Sequence, residues 1–198
     1  NMEFSLGGEP YAGYPAFSAP DTIAGYVADC GIDIFLLANN HIYDRGLGGA
    51  QRTLDVYGRM KEGHGIRYTG LAADQEERDE IHPLMMVVRG FRLALVNMTY
   101  APNGGERTGW PKANYLDDRE DIRKDIEKAE GLGSDIVIAL PHWGNEYEPT
   151  HSERQKEQAG WLAENGADMI IGAHPHVVQD IDTSGNVQIA YSLGNAVS

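Results

Sequence analysis

The sequence predicts an α/β fold built on parallel strands. Helical and buried-strand patterns alternate along much of the chain, and three of the strand patterns run out into histidines. At 198 residues, with 41% hydrophobic and 23% charged content, the chain can bury one substantial core, so a single domain over residues 1–198 is expected. Ala19 to Cys30 opens the alternation. Pro20 and Asp21 suit a helix start, Gly31 suits its end, and Ile23, Tyr26, Val27 and Cys30 recur at helical spacing as an apolar face. Ile32 to Leu37 reads as a buried strand. A helix from about Leu47 to Lys61 follows, with Leu54, Tyr57 and Gly58 inward and Gly63 as its end. "IRYTG" then supplies a short strand and completes a β-α-β unit.

The rhythm changes at "LMMVVRGFRLALVNMT", where two apolar runs around Arg89 and Gly90 predict an antiparallel hairpin. Alternation resumes with a charged helix from Asp117 to about Gly131, whose inner face carries Ile122, Ile126 and Ala129, and with the strand "DIVIAL" ending at Pro141. Ser152 and Gln155 fit a capping box for a helix through Asn165, which Gly166 closes. "MIIGA" and "VQIAYSLGN" supply the last two strands, and the long loop "APNGGERTGWPKANY" is a candidate rim for a site.

A formal charge of −14, from 16 basic against 30 acidic residues, argues against a nucleic-acid surface, which needs clustered Lys and Arg. An anionic substrate would need local help from a cation. No stretch of about 18 apolar residues and no signal-peptide pattern occurs, so membrane association would have to come from segments outside this piece. Cys30 is the one cysteine, which excludes an intrachain disulfide, and its place on the helical face predicts a core thiol rather than a nucleophile.

"IFLLANNH" ends in Asn39, Asn40 and His41, "IVIALPHWG" in His142, and "MIIGAHPH" in His174 and His176. Parallel strands bring their carboxyl ends to one edge, so these groups are expected to converge. Imidazole and amide oxygen suit zinc, manganese or iron, and such a cluster without a metal would need many separate hydrogen-bond partners. Pro175 stiffens the backbone of the His-Pro-His pair. Gln179 is placed to orient one of these imidazoles. His64, His82 and His151 do not fit the pattern and read as surface or capping residues, with a substrate contact left open for His151.

Carboxylates near strand ends are Glu3, Asp44 and Glu146. Asp44 has two open roles, accepting a ring N–H from His41 or capping the helix that follows. Glu146 could bind metal-bound water or a substrate amine, and Glu3 could bridge two metals if its strand joins the same edge; either could also be simply solvated.

Together, "NME", "LANNHIYDRG", "PHWGNEYEP", "IGAHPHVVQ" and "YSLGN" resemble, in order and spacing, the CapA family of poly-γ-glutamate capsule biosynthesis proteins, which belong with the calcineurin-like metallophosphoesterases. The resemblance spans nearly the whole chain. It implies a four-layer α/β/β/α sandwich with two divalent ions, Mn, Zn or Fe, at the strand ends. Asn40, His142, His174 and His176 are then similar to metal ligands, with Glu3 or Asn1 near the position of the bridging carboxylate. His41 resembles the histidine that stabilises charge or protonates a leaving group, assisted by Asp44, while Asn39 and Glu146 would face substrate. Such families begin with a strand carrying a Gly-Asp pair, so this piece is expected to lack its first strand and one ligand and to be truncated at both ends.

The resemblance implies a metal-dependent hydrolase of the cell envelope, outside the cytoplasm. Its substrate would be a phosphoester or the γ-glutamyl amide of an anionic polymer, with other capsule-synthesis proteins as partners. The alternatives are an accessory module that binds or exports the polymer without turnover, and a fold whose histidines are relics of an empty metal site.

Overall fold

The computed structural model describes residues 3–103 and 108–195. In chain order the elements are α1 (Asp21–Asp29), β1 (Ile34–Leu36), α2 (Gly46–His64), β2 (Arg67–Thr69), β3 (Leu71–Ala72), α3 (Gln75–Ile81), β4 (Leu84–Val88) and β5 (Phe91–Thr99). They continue with β6 (Lys112–Ala113), α4 (Arg119–Gly131), β7 (Ile136–His142), α5 (Glu153–Glu164), β8 (Met169–Ile171), β9 (Ile181–Ser184) and β10 (Val187–Ala190). Two compact units form, one from the described residues of Asn1–Ile81 and Ala101–Ala113, the other from His82–Tyr100 and Asn114–Ser198.

In the first unit, β1 and β2 pair in parallel across α2, with Phe35 opposite Tyr68, which is the expected β-α-β unit. Helix α2 buries Leu54, Val56, Tyr57 and Met60, residues spaced to share one face. It ends two residues beyond the predicted Gly63, where Gly65 takes a left-handed φ of 70° and returns its N–H to the Lys61 carbonyl.

Helix α1 departs from expectation. Of its residues Ala24 is buried, while Ile23 and Tyr26 are exposed; Cys30 lies past the last turn and is also exposed. The cause is Asp21, which receives a two-pronged ion pair from Arg52 of α2 at 2.7 and 3.0 Å. Asp21 and Ala24 stand three residues apart on one face, so fixing Asp21 against α2 turns Ile23 and Tyr26 outward.

The second unit is a six-stranded sheet in the order β4-β5-β7-β8-β10-β9. β5, β7, β8 and β10 run parallel, and antiparallel β4 and β9 close the two edges. The predicted hairpin is β4-β5. Helix α4 packs Ile122 and Ile126, and α5 packs Ala159 and Leu162, against a core that includes Val96, Val137, Ala139 and Ile170. His82, expected at the surface, is 1% exposed at the foot of β4, where its carbonyl accepts the Lys128 ammonium of α4 at 2.8 Å.

Sheet register sets the site. Thr99 of β5 pairs with His142 of β7, and His142 bridges to Ala173 just past β8, so three parallel strands end level with one another. Gly172 makes that approach possible. A Cβ there would stand 2.0 Å from the Tyr191 carbonyl oxygen and 2.3 Å from Trp143 Nε1, two atoms that hydrogen-bond to each other at 2.9 Å. Gly172→Ala is therefore expected to destabilise the fold by about 1–3 kcal/mol, seen as a lower urea midpoint; an unchanged midpoint would contradict this packing.

Candidate functional site

The residues singled out in the sequence fall into two groups. Glu3, Asn39, Asn40, His41 and Asp44 belong to the first unit, and His142, Glu146, His174, His176 and Gln179 to the second.

In the first unit the chain leaves β1 in a tight turn. Asn39 is fully buried, its side chain donating to the Leu37 carbonyl at 3.2 Å and accepting the His41 N–H at 2.9 Å. The amide thus helps to shape the turn. Asn40 is buried beside it, with its carbonyl accepting the Asn103 N–H at 2.7 Å. Glu3 is half-buried.

Asp44 turns its carboxylate back to His41 rather than capping α2, whose N-cap is Arg45 with no side-chain cap. The His41 Nδ1 to Asp44 Oδ2 distance is 2.7 Å, and the same oxygen accepts the Phe17 N–H at 2.7 Å. A carboxylate can only accept, so Nδ1 carries the proton and the Nε2 lone pair is presented on the other side of the ring. Asn103 Nδ2 stands 3.5 Å from that Nε2, and the Phe17 ring meets the imidazole edge-on at 4.6 Å. The pair is nearly buried, at 7% and 3% side-chain exposure, so its geometry is held by packing as well as by the hydrogen bond.

In the second unit, the level strand ends put His142 and His174 side by side, with ring centroids 4.7 Å apart. His174 and His176 both adopt left-handed backbone, at φ of 104° and 60°, a region that side-chain-bearing residues enter at a cost. The adjoining loop holds them there: Ala173 exchanges hydrogen bonds with Pro141 and Trp143, and the Tyr147 N–H donates to the Pro175 carbonyl at 2.8 Å. His176 Nδ1 lies 2.9 Å from Asn195 Oδ1, which fixes a tautomer with the lone pair on Nε2. Ligand atoms of Glu146, His174 and His176 all lie within 4.8 Å of one another. Two imidazoles, a carboxylate and the adjoining His142 form a donor set that fits zinc, manganese or iron. Glu146, expected at substrate, thus stands among potential metal ligands.

Gln179 does something other than orient an imidazole. Its side chain accepts from Gln155 Nε2 at 2.9 Å and donates to the carbonyls of Glu148 and Thr150 at 2.9 and 3.1 Å. It therefore ties the loop after β7 to the predicted capping box, in which Ser152 and Gln155 each accept from the other's backbone N–H. The outer-shell contact expected of it is made by Asn195. Gln179→Ala is expected to cost about 1–3 kcal/mol in urea denaturation by stranding the Gln155 amide; loss of stability below about 0.5 kcal/mol would contradict the brace.

His151 adds a second tie. Its Nδ1 lies 2.6 Å from Asp180 Oδ2, and its ring stacks on Tyr191 at 3.9 Å between centroids. Asp180 is held below the usual carboxylate range by a hydrogen bond from its own backbone N–H, opposed by burial and reinforced by His151. His64 sits exposed at the end of α2, as expected.

Sequence reasoning missed Tyr100, whose ring packs 5.0 Å from His174 and 6.5 Å from His142. Its position one residue past the end of β5, level with His142 in the parallel register, was the signal that could have found it.

Among the described residues no helix is long and apolar enough to cross a membrane. In comparisons with known proteins, the chain is 33% identical over 184 residues to the capsule biosynthesis protein CapA of Bacillus anthracis, and 28% identical over 169 residues to the PGA biosynthesis protein CapA of Bacillus subtilis (strain 168). These alignments cover 91% and 85% of this chain and 43% of each relative, so the chain spans less than half the length of the curated relatives it matches. Among solved structures, the sulfate thiohydrolase SoxB of Thermus thermophilus, in complex with glycerol, superposes with a TM-score of 0.56 at 17% identity, covering 89% of this chain and 30% of that one. The likeness bears on the fold alone, a mixed α/β fold with a multi-stranded sheet and flanking helices, which agrees with the α/β class the sequence predicts. The match to the bacterial capsule synthesis protein PGA_cap runs over residues 1–198, and the chain belongs to that family.

Proposed function

We propose that the chain is the metal-dependent hydrolase portion of a capsule synthesis protein, working at the cell envelope outside the cytoplasm on an anionic polymer such as poly-γ-glutamate or on a phosphoester. The observation that carries this reading is the grouping of Glu146, His174 and His176 within 4.8 Å, with the His142 ring 4.7 Å from that of His174. Family membership and the capsule and PGA biosynthesis names of the CapA relatives support a capsule polymer as the substrate.

In this reading His142, His174, His176 and Glu146 would hold a divalent ion, and Asn40 and Glu3 are proposed as further metal ligands. Bound there, a divalent cation polarises a substrate oxygen and lowers the pKa of water. The chain's own residues do the rest. His41, its Nδ1–H on Asp44, would take a proton at Nε2 from the attacking water and pass it to the leaving group, and the Asp44 charge would stabilise the imidazolium while it exists. The cations also offset the −14 charge that would otherwise repel an anionic substrate. Other capsule-synthesis proteins are its proposed partners.

The test is turnover by the full chain loaded with manganese or zinc, against aryl phosphodiesters and γ-glutamyl peptides. Metal-dependent release of product from either class is the expected result. Retention of the polymer by metal-loaded protein with no turnover of any substrate would overturn hydrolysis and identify an accessory binding module.

A further inference from the structure

We propose that the second unit carries a separate subsite beside the histidines that seats a carboxylate-and-amide unit of the substrate chain. The proposal rests on the polymer reading above, and the pocket in question is a cavity of about 240 Å³ between the loop after β7 and the first turns of α5. Its walls include Tyr100, Asn145, Arg154 and Gln158.

Gln158 is the telling residue. It is 7% exposed, yet its side-chain amide makes no hydrogen bond to any of the described residues. Its neighbours on the same helix face differ: Ser152 and Gln155 are engaged in the capping box, and Gln155 also reaches Gln179. The amide opens onto the cavity rather than being sealed from water, so a ligand entering there meets an amide with no protein partner to displace. Because the amide both donates and accepts, its complement is a group that does the same, as a peptide-type amide does and a phosphate dianion does not.

Arg154 supplies the charge. Its Nη2 is held by Asp117 at 3.2 and 3.5 Å, while Nη1 and Nε make no hydrogen bond to the described residues. A guanidinium anchored through one nitrogen keeps a fork for a carboxylate. The cavity borders the N-terminal turn of α5, whose dipole also favours an anion. Tyr100 joins this cavity to the centre, since the same ring packs against His174 and His142. A polymer unit held by Arg154 and Gln158 would therefore deliver the adjoining unit to the histidines.

The experiment is calorimetric titration of γ-linked triglutamate into the full chain, as purified and again after chelation, with phenyl phosphate, as its dianion, as a second probe. Saturable γ-triglutamate binding is expected in both states, weakened about tenfold or more by Arg154→Gln and by Gln158→Met. Phenyl phosphate should bind more weakly and respond to Arg154→Gln alone. Absence of γ-triglutamate binding, binding that neither variant changes, or phenyl phosphate binding as tight and as dependent on Gln158 would overturn the proposal. Thermal melting checks each variant, and the exposed Arg154 carries the test if Gln158→Met fails to fold. The chelated arm does not depend on metal or turnover, so this subsite and the hydrolase reading fail separately.

Discussion

His174→Ala is expected to lower metal affinity at least about 100-fold and to remove metal-dependent turnover with it. Loss of a group that merely orients a metal-binding imidazole costs roughly 10–100-fold, and His174 is proposed as a direct ligand. It occupies the middle of the cluster, 4.7 Å from His142 and 6.1 Å from His176 between ring centroids, and it shares the carboxylate of Glu146. The substitution also replaces a buried side chain in left-handed backbone, so the fold must be checked alongside. Circular dichroism and thermal melting separate loss of metal from loss of structure. A folded His174→Ala protein with wild-type affinity for zinc or manganese would contradict the assignment.

His41→Asn is expected to leave metal content unchanged and to lower turnover by roughly 10²–10⁴-fold, the range for loss of a positioned proton donor. The buried pair with Asp44 makes the prediction sharper. Asp44→Asn keeps the shape but exchanges a charged acceptor for an amide, so the imidazolium loses its stabilising charge. That variant should fall between wild type and His41→Asn in turnover. Equal turnover by all three proteins would reject proton transfer by His41.

Much of this was legible because local chemistry and global fold agree. The parallel strands β7 and β8 are apolar and run out into Pro141 and His142 or into Gly172 and His174, so these strand ends and their histidines could be placed from pattern alone. The Ser152–Gln155 capping box was likewise a local signal with a local outcome. Asp74 caps Glu77 at the start of α3, and Gly185 turns β9 into β10.

What pattern could not supply was the direction in which a side chain is used. Helical spacing put Ile23, Tyr26 and Cys30 on one face, but the Arg52 ion pair at Asp21 decides which face turns inward. Asn39 and Gln179 carry the same kind of polar side chain as a ligand or an orienting group; their partners turn out to be backbone groups and Gln155. Asn195, in the "YSLGN" stretch, takes the imidazole instead. Such choices depend on tertiary neighbours far away in sequence.

The central claim is that the histidines at the ends of β7 and β8 hold a metal. The most direct measurement is anomalous X-ray scattering from crystals of the full chain grown with zinc or manganese. A peak is expected at coordination distance, about 2.0–2.1 Å for zinc, from ring nitrogens of His174 and His176. A fully occupied metal elsewhere, with these imidazoles bare, would contradict it.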